Sequence, residues 1–470
     1  MYEAEFKSYF AEHEEEMLED LAALVAIDSQ RMPAAPQMPF GEGPAAALAK
    51  GEELLKKHGM AVTNYENYVI TGDLNGQPRK LDILAHLDVV PAGEGWSVTQ
   101  PFAMRRLDGR VYGRGTSDDK GPAICVLYAM KAIKELGIPL KYGVRLILGS
   151  DEECGSGDIA YYYKKEKPAP MSFSPDADFP LINLEKGGLG SGFTARTELA
   201  GELPRVLKIQ GGVKGNVVPQ KAQALVEGLS GEEIRSYADA VTERTGVAFS
   251  MAPGSGGTVQ ILAEGQNAHA AAPFLGKNAV TALLELVAAL PLADTKTHRK
   301  LKAVSRMFPC LDYYGKALSV DLEDEISGKT TLALTIFSFS GEDIEGHFDC
   351  RASIAANEEN TQKVIYRKLE DAGLVPMDRQ MYPPHYVKED SELVQKLLAV
   401  YSAVTGKEAK PIAIGGGTYV HNIENGVAFG CGDPDMEYNV HGADEFMEIR
   451  QMLTSCEIFA QAILALCGED

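Results

Sequence analysis

The sequence predicts an α/β protein in which one discontinuous domain, built on a mostly parallel sheet with helices on both faces, is interrupted by an inserted α+β domain. The first observation is the order strand, helix, strand before residue 150, which is the order of a βαβ unit. The second is a change after about Lys186, where segments become rich in glycine and β-prone residues, and the third is a return to the α/β pattern near residue 383. We therefore expect residues 1–186 and 383–470 to form one domain and residues 187–382 to form the insert.

Apolar periodicity and turn residues predict the elements of the first part. Apolar side chains recur at helical spacing from Phe10 to Val25. A loop rich in proline and glycine, RMPAAPQMPFGEGP, follows, and the next helix, over about 44–58, should end near Gly59. The other elements expected before the insert are strands at about 61–73 and 81–87, a helix at 121–136 and the buried strand YGVRLILGS.

The predicted insert is dominated by the β-prone segments RVLKIQGGVKG, GTVQILAEGQ and TLALTIFSFSGEDIEGHFDCRASI. Two helical stretches, near 277–291 and near 359–372, are interleaved with them. This mixture indicates an α+β domain of two similar halves. Two further helices, near 391–405 and near 446–467, are expected after the insert.

Composition and charge exclude several classes of partner. The chain has 470 residues, with 45 Lys+Arg against 67 Asp+Glu, a net charge of −22. This balance argues against a broad basic surface that would bind nucleic acid or an anionic membrane. The N-terminal segment lacks the pattern of a signal peptide, and no apolar stretch is long enough to span a bilayer.

Cysteine usage favours a reducing compartment. The seven cysteines are odd in number and widely spaced, and the chain contains no C-x-x-C. These features argue against a disulfide framework and against a cysteine zinc site. We therefore expect a cytoplasmic protein with reduced, buried thiols.

Two residues of chemical interest end the predicted strand in LDILAHLDVV. His86 and Asp88 are separated by one residue, so they project from the same face of the strand. The ends of parallel strands are where ligands bind in α/β folds. Taken alone, a single His-x-Asp pair is weak evidence of a site and favours a structural role, in which the aspartate bonds the histidine ring.

Acidic residues fill two further loops. In GRVYGRGTSDDKGP, Asp118 and Asp119 precede a predicted helix, and a helix N-cap would account for one of them. In GSDEECGSGD, Asp151, Glu152 and Glu153 directly follow a buried strand. Adjacent carboxylates at a strand end repel one another unless a cation neutralises them. A solvated turn is the alternative.

Two later segments complete a set of nitrogen and oxygen ligands. SPDADFPL contains Asp176, and NVHGADEF contains His441, Asp444 and Glu445. Histidines and carboxylates at the ends of strand-like runs suit zinc, with manganese or cobalt as substitutes. Two ions would need a bridging carboxylate, and Asp118 is well placed for that role.

These sequence motifs and their order resemble those of the co-catalytic zinc metallopeptidase family, which includes aminoacylases, desuccinylases and carnosinases. The resemblance spans nearly the whole chain and rests on His86-x-Asp88, GRGTSDDKG, SDEE, SPDADFPL and the late His441. Within the family, PFGEGP, SPDADFPLINLEKG and GGGTYV are most similar to the PepV-type dipeptidases. The length of the chain and its single large insert also fit that branch.

The resemblance implies a site for two divalent metal ions. One ion would be held by His86, Asp118 and Asp176, and the other by Asp118, Glu153 and His441.

It also implies roles for their neighbours. Glu152 would be the general base, and Asp88 would orient the ring of His86.

The resemblance further implies that the insert acts as a lid over the catalytic domain. His269, within GQNAHAAAPFLGKNA, would stabilise the developing oxyanion. Asn216 in GNVVP and Arg351 in FDCRASI would bind substrate. From its sequence context alone, Arg351 is also compatible with a surface ion pair.

A glycine-rich loop would contribute backbone groups. The N–H groups of Gly415, Gly416 and Gly417 would bind the substrate carboxylate, although a glycine run also suits a simple tight turn. The chain departs from the PepV-type pattern just beyond this loop, where Val420-His421 replaces Ala-Arg. This departure puts recognition of the substrate carboxylate in question.

The implied function is a metallo-dipeptidase that hydrolyses unblocked dipeptides, with two ions of zinc, or of manganese or cobalt, activating water. The expected partner is a small peptide substrate, and the expected assembly is a monomer. The alternative is an amidohydrolase of the same family that removes an acyl group from an N-acyl amino acid. A silent binding protein is disfavoured because all ligands are present. A two-metal phosphoesterase is disfavoured because no phosphate loop accompanies the carboxylates.

Overall fold

The computed structural model describes residues 2–198 and 201–469, and it confirms the predicted fold class. The chain forms two compact units. The first comprises Met1–Leu184, His385–Ile412 and Gly417–Asp470, and the second comprises Glu185–Pro384 and Ala413–Gly416.

The first unit is built on a mixed sheet. From edge to edge its strands are Ala61–Tyr65, Val69–Asp73, Gly143–Gly149, Arg79–His86, Met171–Ser174, Gly426–Ala428, Ile182–Glu185 and His385–Tyr386. The four central strands are parallel, and antiparallel pairs flank them. The central strands are buried almost throughout, which accounts for their continuous apolar sequences. His86 is in register with Gly149, so neighbouring strands end at the same level.

Helices cover this sheet. In the described part of the first unit they are Glu3–Glu12, Glu14–Val25, Glu42–Lys57, Lys120–Glu135, Gly157–Tyr162, Glu392–Thr405 and Ile449–Cys467. The helix at 120–135 packs against the last one and is buried from Lys120 to Ile133, so it has no continuous polar face. Aromatic rings fill the core nearby, with the centroid of Phe173 5.7 Å from that of Phe429. No helix among the described residues has the length and apolar character needed to cross a membrane.

Two local predictions need correction in the first unit. The predicted N-terminal helix is two helices that meet at His13. The predicted strand at 61–73 is a hairpin, because Glu66 and Asn67 adopt left-handed backbone conformations that reverse the chain. Three short strands, Arg105–Leu107, Arg110–Tyr112 and Phe446–Glu448, form a separate small sheet.

The second unit contains an eight-stranded antiparallel sheet. Its strands, in order, are Ala248–Pro253, Thr258–Glu264, Lys221–Glu227, Arg205–Gly211, Thr331–Phe339, Asp343–Ala352, Gly187–Arg196 and Val375–Pro376. Two halves of four strands meet where Ile209 pairs with Phe339. Short ladders join Val217–Val218 to Ala268–His269 and Glu323–Asp324 to Gly328–Lys329.

The described α-helices of the second unit are Gly231–Thr245, Ala279–Ala289, Lys296–Met307 and Lys363–Asp371. The sequence analysis predicted only the second and the fourth. The other two are mostly polar and have few apolar residues, although Leu301, Val304 and Met307 of Lys296–Met307 lie at helical spacing on its buried side. Their caps were the better signal: Ser230 and Glu233 form a capping box, and the Thr295 side chain accepts a hydrogen bond from the His298 N–H.

A short C-terminal segment, Ala413–Gly416, belongs to the second unit rather than to the first. The Ile414 carbonyl accepts a hydrogen bond from the Lys186 N–H at 2.9 Å. The Gly415 carbonyl accepts one from Arg351 at 2.8 Å. These bonds account for the position of the segment, which the sequence analysis had placed with residues 383–470.

A buried aspartate organises the N-terminal helices of the first unit. Asp20 is 5% exposed and accepts hydrogen bonds from Lys57 at 2.7 Å, His58 at 2.7 Å and Tyr128 at 2.8 Å. Glu16 lies beside it and pairs with Lys131. Because two lysines neutralise these two carboxylates, we interpret the group as an ion-pair network and not as a metal site. Burial opposes ionisation, but the three donors outweigh it and lower the pKa of Asp20 to about 2.

We expect Asp20→Asn to lower the free energy of unfolding by about 2 kcal/mol at pH 7, because it removes the carboxylate that the buried His58 ring and Tyr128 hydroxyl contact. The depressed pKa means that the stabilisation is complete above the ordinary pKa of 3.8 and is lost as the pH falls toward 2. The difference between parent and variant should therefore shrink over that interval. Urea unfolding followed by circular dichroism measures it. The exposed Asp321→Asn is the control, and an equal effect of both substitutions would contradict the prediction.

Candidate metal centre

Several side chains of the first unit lie at the carboxyl ends of the central parallel strands. His86 is the last residue of its strand, and the short turn Glu152–Cys154 closely follows the neighbouring strand. Asp176 follows the strand on the other side of His86 by two residues. Because these strands are adjacent and parallel, they bring the three groups to one edge of the sheet.

The loop carrying Asp118 packs closely against the start of the helix at 120–135. A Cβ atom on Gly121 would lie 2.0 Å from the Thr116 carbonyl oxygen, so the position accepts only glycine. This contact explains the glycine that follows the two aspartates and a lysine in the sequence. The peptide bond between Asp118 and Asp119 is cis.

Asp118 lies between two groups of potential ligands. His86, Asp118 and Asp176 form one group, and Asp118, Glu153 and His441 form the other, with the ligand atoms of each group within 4.8 Å of one another. One carboxylate oxygen of Asp118 is 3.0 Å from Nε2 of His86, and the other is 2.9 Å from Nε2 of His441. Nε2 of His86 is 3.6 Å from Asp176, and Nε2 of His441 is 3.2 Å from Glu153. All five residues are those that the sequence analysis singled out as ligands.

The unsatisfied polar atoms at this edge fit divalent metal ions. Nε2 of His86 is buried and makes no hydrogen bond of acceptable geometry, while Nδ1 lies 3.0 Å from the Asp88 carbonyl oxygen. A ring that donates through Nδ1 presents the lone pair of Nε2 to the carboxylates of Asp118 and Asp176. A lone pair facing carboxylates is repelled by them, and a cation removes that repulsion. Two histidines and three carboxylates form a donor set suited to zinc and similar ions.

The pKa values of these side chains reflect the same concentration of negative charge. Hydrogen bonds to Asp118 and Glu153 raise the pKa of His441 to about 10. Burial raises the pKa of Glu153 to about 7. Burial also raises the pKa of Asp176, with the charge of Asp118 adding to the effect. Metal binding would therefore displace protons from these side chains.

Glu152 lies beside the two ligand groups but belongs to neither. Burial raises its pKa well above the usual range, and the negative charges of Asp176, Glu153 and Asp118 add to the effect. A carboxyl group with this elevated proton affinity next to a metal site is suited to accepting and returning a proton.

Two buried carboxylates hold the turn that carries Glu152 and Glu153. Asp158 accepts hydrogen bonds from the N–H groups of Ser150 and Asp151, at 2.5 and 3.0 Å. Asp88 accepts them from the N–H groups of Glu152 and Glu153, both at 3.1 Å. Four consecutive backbone donors are thereby satisfied, which fixes the turn although its own side chains repel one another.

The arrangement changes the interpretation of Asp88. The sequence analysis expected its carboxylate to orient the ring of His86. The ring is instead contacted most closely by the Asp88 backbone carbonyl, at 3.0 Å, while the nearest carboxylate oxygen lies 3.5 Å away. The carboxylate is directed to the Glu152–Glu153 turn because the two N–H groups there are its closest donors.

Several supporting residues were not assigned any role from the sequence. Asp119 accepts a hydrogen bond from the His86 N–H at 3.0 Å. Tyr419 donates its hydroxyl to Asp158, and Arg31 donates to Asp151. For Asp119, the only indication in the sequence was that two aspartates stand side by side. Tyr419 and Arg31 could not be identified, because their partners, Asp158 and Asp151, are buried and distant in sequence.

The predicted residues of the second unit form a cluster of their own. Val217 pairs with His269 in a short ladder, and the Asn216 carbonyl accepts a hydrogen bond from the Ala270 N–H at 2.8 Å. Asn216 and His269 are both exposed. The strands therefore bring these two side chains into one neighbourhood.

Arg351 is held in place within the second unit. Its Nε and Nη2 donate to the two carboxylate oxygens of Asp349, at 2.7 and 2.9 Å, and its Nη1 donates to the Gly415 carbonyl. A Cβ atom on Gly415 would lie 2.7 Å from that of Ala271, so this glycine permits a close approach. Gly416 also belongs to the second unit, whereas Gly417 belongs to the first.

At the ends of the parallel strands, histidines and carboxylates surround a shared aspartate. This arrangement is typical of a metal-dependent hydrolase. Residues 83–465 match the family described as peptidase family M20/M25/M40. The chain belongs to this family.

Its relatives match along almost their entire lengths. A protein of Bacillus subtilis (strain 168) named "Putative dipeptidase YtjP" is 35% identical over 459 residues, covering 96% of this chain and 97% of the relative. The Beta-Ala-Xaa dipeptidase of Lactobacillus delbrueckii subsp. lactis is 32% identical over 475 residues, covering 99% of each chain.

Solved structures share the fold at lower identity. Human carnosine dipeptidase 1 aligns with a TM-score of 0.62 at 17% identity, covering 99% of each chain. The dipeptidase Dug1p of Saccharomyces cerevisiae aligns with a TM-score of 0.58 at 14% identity, covering 99% of this chain and 98% of that one.

We expect Asp88→Asn to weaken metal binding by about 10- to 100-fold, the usual cost of losing a residue that supports the ligands. The amide would turn an NH₂ group toward one of the two turn N–H groups and release the segment carrying Glu153. Titration of metal-free protein against a chromophoric chelator measures the dissociation constant.

The matched control is Asp312→Asn, because Asp312 also accepts backbone N–H groups, those of Tyr314, Lys316 and Ala317, but does so in the second unit. Metal binding should be unchanged in this control. Equal dissociation constants for Asp88→Asn and the parent would show that the turn does not depend on Asp88.

Proposed function

We propose that this protein is a metal-dependent dipeptidase that hydrolyses unblocked dipeptides. The observation that carries the proposal is the position of Asp118, whose two carboxylate oxygens each face a different histidine. A carboxylate shared in this way suits a pair of metal ions. Relatives at 35% and 32% identity that are named dipeptidases support the substrate class.

Two divalent ions would occupy the centre, and we propose zinc, with manganese or cobalt as substitutes. His86 and Asp176 would hold one ion, Glu153 and His441 the other, and Asp118 both. When bound, such ions polarise the scissile carbonyl and lower the pKa of a bound water toward neutrality.

Glu152 would act as the general base. Its carboxylate would take a proton from the attacking water and later give one to the leaving amine. The raised pKa supports this role, because a base that must return its proton needs an affinity closer to neutrality than that of an ordinary glutamate. Asp88 would keep Glu152 in position through the turn N–H groups.

The second unit would contribute substrate recognition. We propose that His269 stabilises the developing oxyanion and that Asn216 binds the substrate. Arg351 would act partly through Gly415, because its contact with that carbonyl fixes the glycine loop. The N–H groups of Gly415, Gly416 and Gly417 would then bind the free carboxylate of the dipeptide.

We also propose that the protein acts in the cytoplasm as a monomer. All seven cysteines are free, and six of them are buried, which supports a reducing compartment. Size-exclusion chromatography with light scattering tests the monomer directly.

Glu152→Gln should lower kcat by about 10²- to 10⁴-fold, the usual contribution of a general base, while two metal ions remain bound. Turnover of an unblocked dipeptide and elemental analysis of the same sample provide the two measurements. Glu457→Gln is the control, since Glu457 is also buried but lies on the last helix. Normal turnover by Glu152→Gln would reject the assignment of the base.

The substrate class is tested by a panel of unblocked dipeptides and N-acyl amino acids. Each compound is offered to metal-free protein to which zinc, manganese or cobalt has been added separately. We expect no turnover before metal is added, and afterwards a higher kcat/KM for dipeptides than for N-acyl amino acids. A preference for N-acyl amino acids would identify an amidohydrolase, and full activity after verified metal removal would reject a metal-dependent mechanism.

A further inference from the structure

Glu445 is a buried carboxylate that has no part in the proposed ligand set. Its side chain is 0% exposed, and it accepts hydrogen bonds from the N–H groups of Gly115, Ser117 and Asp118 at 3.0, 2.9 and 3.3 Å. The Ser117 hydroxyl adds another at 3.1 Å. A buried charge must be compensated, and these donors all belong to the segment that ends at Asp118.

Arg114 neutralises Glu445 and extends the contact to a second segment. It is 1% exposed, and its Nη1 donates to Glu445 at 2.5 Å. Its Nη2 donates to the carbonyl of Gly442, the residue after His441, at 3.0 Å. The buried pair thus joins the backbone before Asp118 to the backbone beside His441.

The segment around His441 needs such support. His441, Asn439 and Asp444 all have positive φ angles, of 62°, 54° and 55°. Non-glycine residues keep this conformation when the surrounding contacts over-determine it. The bonds to the Gly442 carbonyl and the Glu445 side chain are two such contacts, and they flank the histidine on its C-terminal side.

We propose that Glu445 and Arg114 are positioning residues that hold Asp118 and His441 at metal-binding distance before any ion is bound. The inference rests on the proposed metal centre but not on the identity of the substrate. His441 and Asp118 lie 2.9 Å apart. Their preorganisation means that ion binding does not have to order two loops that are more than 300 residues apart in sequence.

The test is the dissociation constant for zinc in the full-length Glu445→Gln variant. The amide loses the ion pair with Arg114 and one of the two acceptor oxygens. Oε1 accepts from the Gly115, Ser117 and Asp118 N–H groups, and Oε2 accepts from Arg114 and the Gly115 N–H. We expect the dissociation constant to rise about 10- to 100-fold, as for other residues that support metal ligands. We also expect saturating zinc to restore kcat with KM unchanged, which a general loss of structure would not produce.

The matched control is Asp73→Asn. Asp73 and Arg145 form a two-point ion pair in the same unit, at 2.7 and 2.8 Å, within the strands of the sheet and apart from the ligands. The dissociation constant of this control for zinc should lie within about twofold of the parent's, because a substitution far from a site has little effect on that site.

Arg114→Lys provides a second variant in case Glu445→Gln does not fold. A lysine keeps the positive charge but cannot reach Glu445 and the Gly442 carbonyl together. The dissociation constant of this variant for zinc should therefore rise about fivefold or more. A folded Glu445→Gln or Arg114→Lys with the parental constant would overturn the inference. Failure of the parent itself to bind zinc would instead reject the proposed metal centre.

Discussion

The structure depends on how the negative charge at the ends of the central parallel strands is compensated. The carboxylates gathered there are Asp88, Asp118, Asp119, Asp151, Glu152, Glu153, Asp158, Asp176 and Glu445. Like charges at this density repel one another and must be compensated. Backbone N–H groups compensate the outer carboxylates, and Arg31 and Arg114 compensate two of these directly. Of the remaining ones, Asp118, Glu153 and Asp176 lie with the histidines. The result is a centre whose outer acids are satisfied and whose inner acids still require cations.

The sequence was sufficient to predict which residues gather in the candidate centre but not the residues that hold them in place. His86 ends one apolar strand and Asp176 follows another by two residues, and the order of elements alone brings strand ends together. Most partners of Glu445 and Asp158 are backbone groups, and no residue type reports which N–H group will be nearby. The contact between Glu445 and Gly115 joins residues 330 positions apart, so only the folded chain reveals it.

The fold was predictable to the extent that apolar patterning specified it. The βαβ order and the later change of composition indicated one discontinuous unit and one insert. Helices with few apolar residues, such as Lys296–Met307, escaped detection because the prediction followed long apolar runs, and the spacing of Leu301, Val304 and Met307 was overlooked. The displaced segment Ala413–Gly416 escaped for a related reason, since its bonds to Lys186 and Arg351 connect parts of the chain with no shared pattern.

The only tryptophan of the chain, Trp96, lies beside Arg114. The guanidinium of Arg114 stands over the ring of Trp96, 5.5 Å from its centroid, and the indole N–H donates to the Ala92 carbonyl at 2.8 Å. Indole emission is sensitive to a neighbouring charge, and no second tryptophan contributes to the signal. The fluorescence of this one ring therefore reports, without a label, on Arg114 and on the pair that Arg114 forms with Glu445.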